Sequence, residues 1–588
     1  MKLNRVLPLL AAAVLSMGAA RAPAADPDGV DYRLSPVFEG GELTALQVTL
    51  RFRADADGQT VLQLPNEWAS EKALYRYVRD LRISGATGYE LAVDGGKPDF
   101  SKRLLTSAAR APITVSYRVV TGFDADPEPG PGNPFKPIIR PQWFFVYGEA
   151  LFAAPADRDS AHASFHWSGA PRGFGFASDL EHLARLRPGS VGDVIESIVI
   201  GGKDLRIYSR QVGGAPLRVA ILGQYRFTDQ DFAAMAERVL GAENSFWGGH
   251  IDPFLIAMAP LKAKENNQSL GGTGRSDAFA LTASTDAELQ QFRFLLAHEY
   301  FHTWDPRQLG GMYDGAREPA AYWFSEGFTD FYTRRLMLRA GVFSLEDFAG
   351  EWNDMLKAYD ASTARNHTNE QIVTDFWTDY PTQKLPYQRG AMLAAIWNAR
   401  LLQATGGRVS LDDVMHRMRD LTAADRDAGR ERVVTADLFP RIYAEMGGPD
   451  LRPDIDRYIV RGETILLPAD LWGDCARVET VTRAAFARGW DAEATTAAGN
   501  VVTGLKDDSP AYRAGIRNGM KIVKREFGEP GDSTVEYGLR IKAPDGTETV
   551  YRFMPVGTGP DETVQKVVVA PGLDAAKRAA CARTVGGG

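Results

Sequence analysis

The tightest constraint in this chain is the pentad His298-Glu299-Tyr300-Phe301-His302, preceded by Phe292, Phe294, Leu295 and Leu296. Residues four apart share a helix face, so on a helix both imidazoles point at one spot. Glu299 then stands one residue round, within reach of a water on the same metal. The apolar lead-in predicts that this helix lies in a core. Two histidines do not complete a catalytic zinc site, which takes a third protein ligand and keeps one position open. Glu326, in Trp323-Phe324-Ser325-Glu326-Gly327-Phe328-Thr329-Asp330, is the candidate, because a carboxylate among aromatics needs a partner that offsets its burial. Asp330 lies four residues on, on the same face, placed to accept a hydrogen bond from a ligand histidine and fix its tautomer. One Zn2+ per chain is expected, on His298, His302 and Glu326, with Glu299 as general base. His162 and His166 also stand four apart, but in a strand-patterned region with no Glu between them. His182, His250, His367 and His416 are isolated and read as ordinary polar or core histidines.

The chain has 588 residues, too many for one core. Its net charge of -8 leaves no basic excess for neutralising phosphates, which argues against nucleic acid as a partner. Met1-Lys2-Leu3-Asn4-Arg5, an apolar stretch over 6–20 and Arg21-Ala22-Pro23-Ala24-Ala25 have the layout of a signal peptide cleaved near residue 25. A periplasmic or secreted location is expected, with no membrane span once that segment is removed. The only two cysteines, Cys475 and Cys581, either pair, as exported chains allow, or stand as free buried thiols.

A multidomain α+β fold is expected. Residues 26–215 read as a β-sandwich-like domain, since Leu46, Val48, Leu50 and Phe52 alternate, as do Ile113, Val115, Tyr117 and Val119. A Pro/Gly-rich loop covers 126–134. Residues 216–465 read as a mostly helical catalytic domain. It opens with a helix over 230–240, a strand over 254–259, a loop over 264–276 and a strand over 278–282. Ser344 with Asp347 and Ser410 with Asp413 look like helix starts, and Gly406-Gly407 like a stop. Residues 466–588 read as a strand- and turn-rich module with a tail.

His298-Glu-Tyr-Phe-His-Thr-Trp304 together with Trp323-Phe-Ser-Glu-Gly-Phe-Thr-Asp330 resembles the glycyl aminopeptidase family of zinc peptidases, relatives of the aminopeptidase N group in the thermolysin-like clan. The resemblance implies an N-terminal β domain, a thermolysin-like catalytic domain and a C-terminal PDZ domain, with a peptide as substrate. It also implies a catalytic tyrosine. Pro386-Tyr387-Gln388-Arg389-Gly390 is similar to the clan's Tyr-x-Lys-Gly segment, with Arg389 in place of Lys, so Tyr387 would hydrogen-bond the developing oxyanion. Asp330 is carried over as the partner of a ligand histidine, His298. One departure stands out. Where the family has Gly-Gly-Leu-Glu-His, this chain has Gly271-Gly272-Thr273-Gly274-Arg275. Gly271 and Gly272 remain to align a substrate strand, but the glutamate that holds the substrate's amine is gone and Arg275 would repel it. Asp277 is a possible substitute. Aminopeptidase and endopeptidase action both stay open.

Asp508-Ser-Pro-Ala-Tyr-Arg-Ala-Gly-Ile516 resembles a PDZ segment, and Ala487-Arg-Gly-Trp490 its carboxylate-binding loop. A peptide C-terminus is therefore an expected partner there, by strand addition. The competing reading is an inactive scaffold that binds peptides through this module.

Overall fold

The computed structural model describes residues 29–69, 71–130, 134–182, 189–249, 253–264 and 268–587. The expected signal segment 1–25 and His250 lie outside them. The chain divides into two compact units, Met1–Asp126 with Pro134–Asp204, and Pro127–Asn133 with Leu205–Gly588.

The first unit is β-rich. Strands Val30–Glu39, Glu42–Arg53 and Pro112–Val120 are neighbours in a six-stranded sheet, and two four-stranded sheets accompany it. Period-two alternation turns Leu46, Val48 and Leu50 inward beside Val115, Tyr117 and Val119, all fully buried. His162 and His166 sit on the strand His162–Trp167, as their pattern predicts.

The second unit holds a five-stranded sheet in the order Arg206–Val212, Ala215–Ile221, Phe254–Leu261, Ala278–Ser284, Leu270–Gly274. The three middle strands run parallel and both outer ones antiparallel to their neighbours. The sheet begins ahead of the expected boundary at 216. Gly213 and Gly214, both at positive φ, make a two-residue turn that pairs 206–212 with 215–221. The expected loop over 264–276 is also partly a strand. Gly271 and Gly272 do not prevent pairing on one side, and Leu270–Gly274 closes the sheet as its edge.

Helices then dominate. Tyr322–Arg339 is buried on nearly every face, which fits its aromatic and aliphatic residues all round. Tyr380–Thr405 packs directly against it. The two backbones touch at Gly327 and Gly390: a Cβ on Gly390 would overlap the Trp323 carbonyl oxygen, and one on Gly327 the backbone of Gly390. Ser344 and Asp347 form a capping box, Ser410 and Asp413 another, and Gly406 (φ 63°) ends Tyr380–Thr405 in the left-handed conformation.

The C-terminal segment splits differently from the expected boundary at 466. Strands Ala476–Arg483 and Glu562–Val569 pair with each other, and Glu562–Val569 lies on helix Leu345–Asp360. There the Asn353 side chain donates to the Val567 carbonyl (3.0 Å) and accepts its N–H (2.7 Å). Cys475 and Cys581 form a disulfide that ties this sheet to helix Ala575–Gly586. Leu467, Val478, Val567 and both cysteines thus belong to the catalytic core. Only the stretch between the two strands builds its own small core, from Val502, Leu505, Ala511, Ile516, Tyr537, Leu539, Ile541 and Phe553. It contains the sheet Lys521–Phe527, Tyr537–Lys542, Glu548–Phe553 and the short helix Pro510–Arg513 capped by Ser509. Among the described residues no helix is long and apolar enough to cross a membrane.

Candidate metal centre

Helix Phe292–Phe301 brings His298 and Glu299 to the cleft, with His302 at its C-terminal end. Helix Tyr322–Arg339 supplies Glu326 and Asp330. Three ligand atoms converge: His298 Nε2 and His302 Nε2 are 3.1 Å apart, and Glu326 Oε2 lies 3.2 and 3.3 Å from them. The other ring nitrogens fix the tautomers. His298 Nδ1 is 2.9 Å from Asp330 Oδ1 and His302 Nδ1 is 2.9 Å from the Asp305 carbonyl oxygen. Both acceptors require Nδ1–H donors, so in the neutral rings each Nε2 carries a bare lone pair. Three lone pairs facing one point repel one another unless a cation sits among them, either an added ring proton or a metal ion that takes its place. Four ligands at about 2.0–2.1 Å around tetrahedral zinc stand about 3.3 Å apart, which matches this spacing. Glu326 Oε2 is buried without a hydrogen-bond donor, an orphan that a metal would satisfy. The residues fit zinc.

The electrostatics follow from burial and pairing. Burial works against charge on His298, but Asp330 and Glu326 push its imidazole up to about 10. Burial likewise opposes ionising Glu326, yet His302 and His298 hold its carboxyl far below the usual range. Asp330 is also held low, against burial, by Arg334 and His298. Arg334 Nη1 lies 3.1 Å from Asp330 Oδ2, and its guanidinium packs over Phe294 (4.7 Å) and Trp352 (5.4 Å). A line of paired groups therefore runs Arg334–Asp330–His298. Sequence reasoning missed Arg334, although it stands four residues after Asp330 on the same buried face.

Glu299 is pushed up by burial, while His298 and His302 pull it down and the Gly274 N–H donates to it. The Tyr387 ring stacks on His298 at 5.8 Å, with Lys384 Nζ 5.1 Å from its centroid. Burial and then Glu326 and Glu299 keep the Tyr387 phenol protonated, hence a donor. Arg389 takes no part. It is fully buried and donates to the carbonyls of Arg365 (2.8 Å) and Gly462 (3.3 Å), tying down a loop.

His298, Glu299, His302, Glu326 and Tyr387 line one cleft of about 420 Å³. Gly272, Thr273, Gly274 and Arg275 line it too, but Gly271, one residue further along the strand, does not. Asp277 is also outside the lining. Glu318, which the sequence patterns do not single out, is inside it.

No curated protein matches the chain. A solved aminopeptidase N family protein from Idiomarina loihiensis shares the fold, with a TM-score of 0.65 at 15% identity over 94% of this chain and 99% of that one. An M1 zinc metallopeptidase from Deinococcus radiodurans gives a TM-score of 0.44 at 17% identity, over 75% of this chain and 94% of that one. Residues 291–392 match the M61 glycyl aminopeptidase family, and that segment holds His298, Glu299, His302, Glu326, Asp330 and Tyr387. Over this segment the chain is similar to the M61 glycyl aminopeptidase family, and the segment that matches is the one that carries the three converging metal-ligand candidates.

Proposed function

We propose that the protein is an exported peptidase with one catalytic zinc per chain, acting on peptides with a free amino terminus. The observation that carries the catalytic reading is the convergence of three lone pairs, with both histidine tautomers fixed from behind. His298, His302 and Glu326 would hold the zinc, which when bound would supply a Lewis acid for the scissile carbonyl and for an attacking water. Glu299 takes the proton of the attacking water and delivers it to the departing amine. Tyr387 donates its phenolic hydrogen to the oxyanion as charge develops there. Asp330, backed by Arg334, keeps the His298 ring in the ligating tautomer. Gly272 and Gly274, on an edge strand, offer backbone groups along which an extended substrate aligns, and Gly271 extends that edge away from the cleft.

Export is supported by the basic, apolar and small-residue order of residues 1–25 and by the Cys475–Cys581 disulfide. The small C-terminal core is read as a PDZ-like module. A groove of about 770 Å³ at Ala487, Gly489, Trp490, Ser509 and Arg513 supports it as a site for a peptide C-terminus.

Glu299→Gln tests the mechanism. Turnover of a free peptide library should fall about 10³-fold or more while zinc content, measured by atomic absorption, stays at one per chain. An active Glu299→Gln enzyme would sink the assignment.

A further inference from the structure

We propose that the turn between helices Asn369–Asp375 and Tyr380–Thr405 is an outer subsite, where Trp377 and Tyr380 take an aromatic side chain of the peptide substrate about three residues beyond the bond that is cut. The proposal rests on the peptidase reading above.

Large aromatic rings are costly to leave in water, yet two stand close together on this turn: Trp377 is 65% and Tyr380 67% exposed. The turn that carries them is well braced. The Phe376 N–H donates to the Ile372 carbonyl (2.9 Å), and those of Thr378 and Asp379 donate to the Asp375 carbonyl (3.0 and 2.9 Å). The Asp379 carboxylate caps the next helix by accepting the Thr382 N–H (3.0 Å). The Asn369 side chain donates to the Ala320 carbonyl (3.2 Å), which ties the first helix to the 3-10 turn Gly315–Ala321, whose Glu318 lines the metal cleft.

Two lines of contact lead from the exposed rings to that cleft. In the first, Trp377 meets Phe376 edge-on (4.9 Å), Phe376 meets Tyr322 edge-on (4.8 Å), and Tyr322 lines the cleft. In the second, Lys384 Nζ stands 5.6 Å from the centroid of the Tyr380 ring and 5.1 Å from that of Tyr387, whose ring stacks on His298 at 5.8 Å. Tyr380, Lys384 and Tyr387 are spaced i, i+4 and i+7 and so share one face of their helix. At about 1.5 Å of rise per residue, Tyr380 lies about 10 Å along the axis from Tyr387. An extended peptide covers that distance in about three residues. With the substrate's amino terminus in the cleft, only the part downstream of the cut bond is long enough to reach the turn. Tyr and Trp rings have few torsions to freeze and gain from packing against another ring, which favours an aromatic side chain as the occupant.

Calorimetry on the zinc-loaded Glu299→Gln protein measures binding without turnover. The probes are Ala-Ala-Ala-Phe-amide, Ala-Phe-Ala-Ala-amide and tetraalanine amide, whose amide ends keep the Lys384 charge out of the comparison. The peptide with Phe at the fourth position should bind about tenfold more tightly than tetraalanine amide. Adding Trp377→Ala and Tyr380→Ala together should cut that preference to within about twofold, and Trp377→Phe with Tyr380→Phe should keep most of it. Any preference for Phe at the second position should survive the double alanine change. Equal weakening of all three probes means a structural role and overturns the proposal. So does a fourth-position preference that is absent at the start, unchanged by the double alanine change, or lost together with that at the second position. Parallel turnover by the unmodified enzyme keeps the two ideas apart. If it cleaves none of the probes while binding of the fourth-position Phe still depends on Trp377 and Tyr380, the peptidase reading fails and the peptide subsite stands.

Discussion

The helices that carry His298, His302, Glu326 and Tyr387 and the strand that carries Gly272 and Gly274 line the same cleft, but they are built by opposite means. On the helix side the charged groups form a chain of pairs: Arg334 on Asp330, Asp330 on His298, the Asp305 carbonyl on His302. Buried charges of this kind hold together only as a set, since removing one strands the next. The strand side contributes none of the converging metal-ligand atoms. It reaches the cleft through Gly272 and Gly274, which have no side chains, and through Thr273 and Arg275. The metal ligands are therefore tightly constrained by their neighbours, and the strand that faces them less so.

The helix side should be the more fragile, and most of all where its two helices touch. In Gly390→Ala the new Cβ meets backbone atoms of Trp323 and Gly327, which cannot rotate away. The helices must separate, at about 3 kcal/mol or more of stability in a denaturant titration. Tyr387, three residues before Gly390, moves with its helix relative to Glu326. A displacement near 1 Å costs about 10²-fold in kcat. A fully active, fully stable Gly390→Ala would mean the helix side is as forgiving as the strand. Asp330→Asn is the next largest. It keeps the shape but removes the charge between His298 and Arg334. Zinc affinity, from competition with a chelator, should fall about 10–100-fold.

Gly272→Ala carries the contrast to the strand. Its Cβ would overlap the Phe279 ring and come within 2.9 Å of the Ala280 carbonyl oxygen. The ring is buried in the core and the carbonyl is backbone, so the cost should be about 1–3 kcal/mol in thermal unfolding, with zinc affinity unchanged. Loss of zinc in Gly272→Ala would show that the two sides are coupled after all.

The helix side was legible in the sequence because it is written in side chains. The spacing His298–His302 and Glu326–Asp330, inside apolar runs, predicts faces, burial and ligation together. What stayed hidden is written in backbone or in distance along the chain. Gly327 and Gly390 lie 63 residues apart, and nothing local marks them as a contact. Strand Leu270–Gly274 reads as a loop because glycines have no side chains to alternate. The pairing of Ala476–Arg483 with Glu562–Val569 spans a separate small core, so no local pattern shows that both strands belong to the catalytic helices. Glu318 escaped notice because a 3-10 turn lacks the periodicity that singles out Glu326. The Cys475–Cys581 pairing, open from sequence, is decided by the packing of the terminal helix.

Gly274→Ala should give the smallest effect. Gly274 is not in the left-handed region, and the nearest heavy atom to an added Cβ is the Glu299 carbonyl oxygen at 3.9 Å, an ordinary contact. Its N–H, which donates to the Glu299 carboxylate, is kept by alanine. Stability should change by less than about 0.5 kcal/mol, and kcat/KM on free peptides by less than about threefold. If alanine is accepted there, so is a longer side chain pointing into the cleft, and the strand's silence is a matter of substrate choice rather than of space. If Gly274→Ala instead abolishes activity with zinc still bound, the glycine is needed for a substrate backbone to lie against the strand. The two sides of the cleft would then be equally constrained, one by charge and the other by contact.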